Sequence, residues 1–233
     1  MAEAVKRSDQ DRRPLQGRER GAPALQPVWD QETLLPPRAA VDGTSRRILL
    51  SALVLFAQRG YNGVPVREIA RGAGVRASSM YEYRASKEQL LLDLMLIGHQ
   101  EHGEWLRTSL ETAADGPVAR LRALVRAHVR FHATYPMLAR VANRELAALS
   151  PDALEEVVAV RGGSETLIEA TVQKGVDAGV FQAPHPWLAV AAIGGMGIRV
   201  AEWFGPGAGF TVEEVAETYA EFALRLLGFQ ATA

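Results

Sequence analysis

Cysteine is absent from all 233 residues. That absence excludes a disulfide scaffold, a thiolate nucleophile and any cysteine-ligated zinc or iron–sulfur centre. Long apolar runs are missing too. The longest uncharged stretch, Ala178 to Ile198, is interrupted by Gln182, Pro184, His185 and Pro186. Only Trp187 to Ile198 is left apolar, short of the roughly 20 residues a spanning helix needs. Residues 1–43 carry charges throughout and no apolar core segment, so no secretory signal is expected, and the reading is a soluble, cytoplasmic protein. Catalytic signatures are lacking as well: there is no G-x-S-x-G, no P-loop and no dinucleotide fingerprint, since Gly194-Gly195-Met196-Gly197 has the wrong spacing and no strand before it. Glu155 and Glu156 are adjacent and point in different directions on a helix. Neither an enzyme nor a cofactor is expected.

Net charge is nearly absent, at -1, but the average conceals a polarity. Residues 1–43 balance seven basic against seven acidic side chains. Residues 44–92 hold eight basic and three acidic, and residues 93–233 eleven basic and seventeen acidic. Asymmetry of this kind suggests two jobs on one chain.

The first 43 residues contain five of the twelve prolines and no helical or strand period, so they are expected to form a disordered arm. From Thr44 the pattern turns helical: Ile48, Leu49, Ala52, Leu55 and Phe56 share one face, and Gly60 ends the run. Pro65 suits the first turn of a second, short helix with Ile69 and Ala70 inward. Ala73-Gly74-Val75 reads as a tight turn with Gly74 left-handed, and a third short helix follows through Ala77 to Tyr83. Helix, turn and helix make a helix-turn-helix. Ser86 to Gln89 reads as a capping box that launches a long helix. Pro117, Pro136, Pro151 and Pro186 punctuate later helices, and Thr211 to Glu214 is a second capping box. No segment alternates as a strand does, so the fold class is all-α with about nine helices. The domains expected are the arm (1–43), a helix-turn-helix domain (44–92) and a ligand-binding and dimerisation domain (93–233).

The run from Arg46 to Leu91, with its Arg-Gly-Tyr, Ile-Ala, Ala-Gly-Val, Tyr-x-Tyr and Ser-Lys-Glu in order, resembles the DNA-binding domain of the TetR family of bacterial transcriptional repressors. The resemblance places Tyr81, Tyr83, Lys87 and Arg46 at backbone phosphates, and Ser78, Ser79 and Arg76 at base edges. Arg76 could fork onto guanine, whereas serines discriminate weakly. Tyr81 has an alternative place in the core beneath the motif. Val64, Arg76 and Arg84 depart from the usual Thr, Ser and Phe. An Arg in place of an inward Phe must bring its head to water or an anion, so Arg84 is expected to touch a phosphate. The arm's arginines could lie along DNA; its balanced acid content favours a passive tail.

The family resemblance further implies that the last two helices pair with a second copy as a four-helix bundle. Gly194, Gly195, Gly197 and Ala201 would allow close approach there, with Tyr219 and Phe222 from the last helix. The homodimer would bind a palindromic operator in double-stranded DNA and be released by a small-molecule effector. Effector walls are expected from Trp105, Phe131, Tyr135, Met137 and Leu138, with His128, His132, Arg140, Asn143 and Arg161 as polar anchors. His128 and His132 are four apart, and His99 and His102 form a similar pair, but there is no H-E-x-x-H and no metal is expected. The segment from Phe131 to Phe204 also resembles the C-terminal half of a subgroup of TetR-family repressors of steroid and fatty-acid catabolism, which implies an acyl-CoA effector with Arg161, Arg140 and Arg144 for its phosphates. The alternative is a helical DNA-binding structural or chromatin protein without a ligand-gated switch.

Overall fold

The structure, a computed structural model, describes residues 34–37, 39, 43–83 and 86–230, the side chain of Tyr81 excepted. The described residues form nine α-helices, one short 3-10 helix and no strand. Helix α1 (Gly43–Arg59) buries Ile48, Leu49, Ala52, Leu53 and Phe56 on one stripe. It stops at Gly60, whose φ of 71° is a left-handed conformation that glycine adopts without a Cβ clash.

Helix α2 (Val66–Gly72) starts one residue later than the proline suggested: Pro65 is its extended N-cap and makes no side-chain cap bond. Val64, where a capping Thr is usual, is 1% exposed and packs in the core, so a cap has been exchanged for apolar burial. Gly74 makes the turn at φ 68°, and α3 (Ala77–Tyr83) follows with Met80 buried. Two side chains of α1 tie the motif down. Arg47 Nε donates to Ala73 O at 3.2 Å, and Ser51 Oγ donates to Ile69 O at 2.9 Å.

Helix α4 (Lys87–Glu111) has half of the expected capping box. Ser86 Oγ accepts from Gln89 N–H at 3.0 Å, but the Gln89 amide turns forward to Asp93 at 2.9 Å. Helices α5 (Pro117–Thr134), α6 (Pro136–Arg144), α7 (Pro151–Asp177) and α8 (Pro186–Trp203) all open on a proline, whose missing N–H has no intrahelical partner to lose. Helix α9 (Val212–Leu226) has the full capping box on Thr211 and Glu214. It is laced along α5 by three ion pairs, Arg122–Glu221, Arg126–Glu217 and Arg130–Glu213.

Two main cores result. The first joins α1 to α3 with the start of α4, with Leu138, Val141 and Ala142 of α6, and with Ala153 and Val157 of α7. Leu34, Leu35 and Ala39, counted with the disordered arm on composition, are buried in it, because their apolar side chains find partners in the first core that the arm's average polarity does not reveal. The second core gathers α4, α5, α7, α8 and α9.

Candidate functional site

The head presents α3 outward. Arg76, Ala77 and Ser78 are exposed, Ser79 is half-buried, and Tyr83 is 40% exposed, while Met80 anchors the opposite face. Arg67 and Arg71 stand exposed on α2 beside it. Glu68, the acid among these cations, is paired with Arg59, which holds its carboxyl below the usual range. Lys87 projects over the ring of Tyr61, 4.0 Å from its centroid, and burial lowers its pKa. Arg46 donates to Leu35 O at 3.4 Å. Arg84 lies outside the described residues, as does the side chain of Tyr81.

Between α4, α5, α7 and α8 lies a cavity of about 340 Å³. Its inner wall is a set of buried histidines: His99 and His102 from α4, His128 and His132 from α5. Spacings of three and four put each pair on one helix face, and the packing of α4 on α5 brings the faces together. Their hydrogen bonds fix the tautomers. His99 Nε2–H donates to Ala142 O (3.3 Å), His132 Nδ1–H to His128 O (2.8 Å) and His128 Nε2–H to Gly194 O (3.1 Å). A carbonyl can only accept, so His128 Nδ1 keeps its lone pair and must accept from His102 Nε2–H, at 2.8 Å. Burial holds all four neutral: it lowers His99 to about 4, His128 below the usual value, and His102 and His132 well below it.

The rest of the wall mixes Phe131, Ile168 and Val190 with Asn143, Ser164 and Arg161. Ser164 Oγ is buried with no hydrogen-bond partner, and Arg161 Nε donates to Glu165 Oε1 at 2.8 Å. Of the ten residues expected to face an effector, the cavity therefore gathers His128, Phe131, His132, Asn143 and Arg161. The others go elsewhere. Trp105 packs edge-on against Tyr135 and Phe131, whose own rings are tilted to each other, and it lines an open groove between α4 and α5. Met137 and Leu138 belong to the first core, because the turn at Tyr135-Pro136 redirects α6 beneath the head. Arg140 Nε donates back to Pro136 O at 3.3 Å. Arg144 pairs with Glu202.

The expected contact residues of the second copy also divide. A Cβ on Gly197 would lie 1.9 Å from His128 Cδ2, so this glycine admits the imidazole of α5 rather than a mate's helix. Gly194 gives its carbonyl to the same ring, and Ala201 is buried with Phe131 and Ala139. Tyr219 is half-buried against the second core. Gly195 and Phe222 remain outward, accompanied by exposed Trp187, Leu188 and Trp203 on α8 and Leu226 on α9. Bulky residues dominate the outward face, whereas Gly194, Gly197 and Ala201 serve packing within the chain.

Residues 48–94 match the family described as bacterial regulatory proteins, tetR family, and residues 114–227 match the tetracyclin repressor-like C-terminal domain. The chain belongs to the TetR family. Among its relatives, the HTH-type transcriptional repressor KstR2 of Mycobacterium tuberculosis is 37% identical over 92 residues, 37% of this chain and 44% of KstR2. The regulator RutR of Escherichia coli O157:H7 is 28% identical over 131 residues, 56% of this chain and 59% of its own length. The chain thus spans about half the length of the curated relatives it matches. A tetR-family regulatory protein from Rhodococcus RHA1 superposes with a TM-score of 0.77 at 28% identity, over 82% of this chain and all of that one. AibR in complex with isovaleryl coenzyme A and operator DNA has the same fold, at TM-score 0.70 and 24% identity, over 79% of this chain and 98% of AibR. These TetR-family relatives are transcriptional regulators, not enzymes, and no helix among the described residues is long and apolar enough to cross a membrane.

Proposed function

We propose that this TetR-family chain is a homodimeric repressor that binds a palindromic operator through α3 and releases it when a small molecule fills the histidine-walled cavity. The observation that carries the reading is α4. This helix of 25 residues, about 37 Å long, has Leu90, Leu91, Leu94 and Met95 in the core of the helix-turn-helix and Gly98, His99 and His102 in the cavity wall. A ligand that prefers one placement of α4 thereby prefers one placement of α3, which is what coupling between two sites requires. The exposed apolar side chains of α8 and α9 support a two-fold interface there, and the exposed Arg67 and Arg71 of α2 with Arg76 just before α3 support phosphate binding.

For the effector class we favour an acyl-CoA thioester. Phe131, Ile168 and Val190 offer an apolar wall for an acyl chain, Arg161 offers a cation, and AibR, of the same fold, binds isovaleryl coenzyme A. Selection of duplexes from a random pool by the full chain tests the DNA reading. It should return a palindrome with half-sites one helical turn apart, and Arg76→Ala should cost about 1–3 kcal/mol at a single base position. Salt-sensitive binding with no sequence preference would instead establish the structural, chromatin-type alternative. A thioester panel scored by thermal shift and by release of the selected duplex tests the effector.

A further inference from the structure

We propose that His102, His128 and His132 form a binding site for a late first-row divalent cation of the zinc type. One nitrogen from each ring lies within 4.8 Å of those of the other two. The rings are packed edge to face, with centroids 5.0 Å apart for His102 and His128 and 4.5 Å for His128 and His132. Imidazole without carboxylate is a donor set that suits zinc, nickel or copper and does not suit magnesium or calcium.

The hydrogen bonds supply a second, independent observation. His128 and His132 each spend one N–H on a backbone carbonyl, of Gly194 and of His128 respectively, and are left with a lone pair on the other nitrogen. That is how metal-binding histidines are oriented: the outer N–H held by a carbonyl, the inner nitrogen bare. His102 alone must change. Its proton moves from Nε2 to Nδ1, which keeps the ring neutral and releases no net proton, and the cation takes the place of the 2.8 Å hydrogen bond to His128 Nδ1. Zinc-bound nitrogens at about 2.0–2.1 Å stand roughly 3.3–3.4 Å apart in a tetrahedral set, so the His102 and His128 nitrogens must part by about half an ångström, and any pair that stands nearer the 4.8 Å limit must close.

All three rings also line the cavity, so the fourth position opens on it and takes water or a ligand atom. Arg161, the cation on the cavity wall, is offset by its pairing with Glu165, and Glu169 lies on the same wall. A cation here bridges α4 to α5. The site stands on the histidine cluster and is independent of the effector reading.

The test is titration of tag-free, chelator-treated protein with cobalt(II) alone. The expected result is a saturable visible absorption of four-coordinate intensity at one ion per chain, removed by added zinc. His102→Gln and His132→Gln should each weaken binding at least about tenfold, while His185→Gln, at the exposed start of α8, leaves it unchanged. Absence of a saturable band, or a band that survives both substitutions, overturns the proposal. If either variant loses its fold, the unaltered chain decides by NMR: strongly shifted imidazole protons from three histidines on cobalt binding support the site, and their absence overturns it.

Discussion

In the head, Ile48, Leu49, Leu53, Phe56, Ile69 and Met80 are buried to 1% exposure or less, and the described arginines stay at or near the surface. The body inverts the arrangement. It buries four histidines and a serine hydroxyl without a partner, and it leaves about 340 Å³ unfilled between its helices. A dense apolar core holds a reading helix in one place. A polar, incompletely filled one can gain free energy from an occupant, which a closed core cannot.

The largest effect tests that density difference. Leu49→Ala in the head should cost about 4–5 kcal/mol, the upper end of what large-to-small core substitutions cost, because close neighbours on every side lose contacts. Ile168→Ala should fall near the lower end, about 2 kcal/mol, since one side of Ile168 already borders the cavity. Urea unfolding of the two variants measures both. Equal losses would mean that the body is as tightly packed as the head.

Acid should find the body first. The head contains no histidine, whereas His99 is held at about 4 in the fold against 6.5 when exposed. The unfolded chain therefore binds more protons between these values. Stability from this group is fully present above about pH 6.5 and is lost as pH falls toward 4, at about 1.4 kcal/mol per pH unit. His99→Gln can still donate to Ala142 O but cannot titrate, so its unfolding free energy should fall less steeply over that window in chelator-treated protein.

Two glycines of α8 probe whether small residues serve the interior or the outer face. Gly197→Ala should cost about 1–3 kcal/mol, because the added carbon meets His128 at 1.9 Å. Gly195→Ala, with open space around it, should gain a few tenths to about 1 kcal/mol from helix propensity. Thermal unfolding of the two at equal concentration compares them, and a loss at Gly195 as large as at Gly197 would return both to an interface between copies.

The head was legible because its order of turns and caps is local. Gly60 and Gly74 declare left-handed turns, Ser86 a cap, and each needs only neighbours in sequence to act. The cavity was half legible. The pairs His99/His102 and His128/His132 are visible by spacing, but their meeting depends on how α4 packs against α5, more than twenty residues apart in sequence. Gly197 read as a contact for a second helix for the same reason: smallness tells that something approaches, not what does. Met137 and Leu138 have the apolar character of pocket walls, but the turn at Pro136 carries them beneath the head, which spacing along the chain does not reveal.

The smallest effect concerns the seam between the two regions. Ser86 and Ser150 both stand at helix N-termini, and sequence alone treats them alike. Ser86 Oγ accepts the Gln89 N–H, so Ser86→Ala should cost about 1 kcal/mol. The side chain of Ser150 makes no cap bond. Its backbone N–H donates instead to Glu88 Oε1 at 2.7 Å, in the first turn of α4; that bond first, and the Ser150 hydroxyl second, lower the pKa of the carboxyl. Alanine keeps that N–H and loses only the hydroxyl's smaller share, so Ser150→Ala should shift the urea midpoint less than Ser86→Ala, while Glu88→Gln, which weakens a charge-assisted bond, should shift it more than Ser150→Ala. A cost at Ser150 equal to that at Ser86 would place an ordinary cap at the start of α7. The expected inequality would instead show α7 held to α4 by its backbone, so that the first core, which already takes Ala153 and Val157 from α7, unfolds together with the body rather than apart from it.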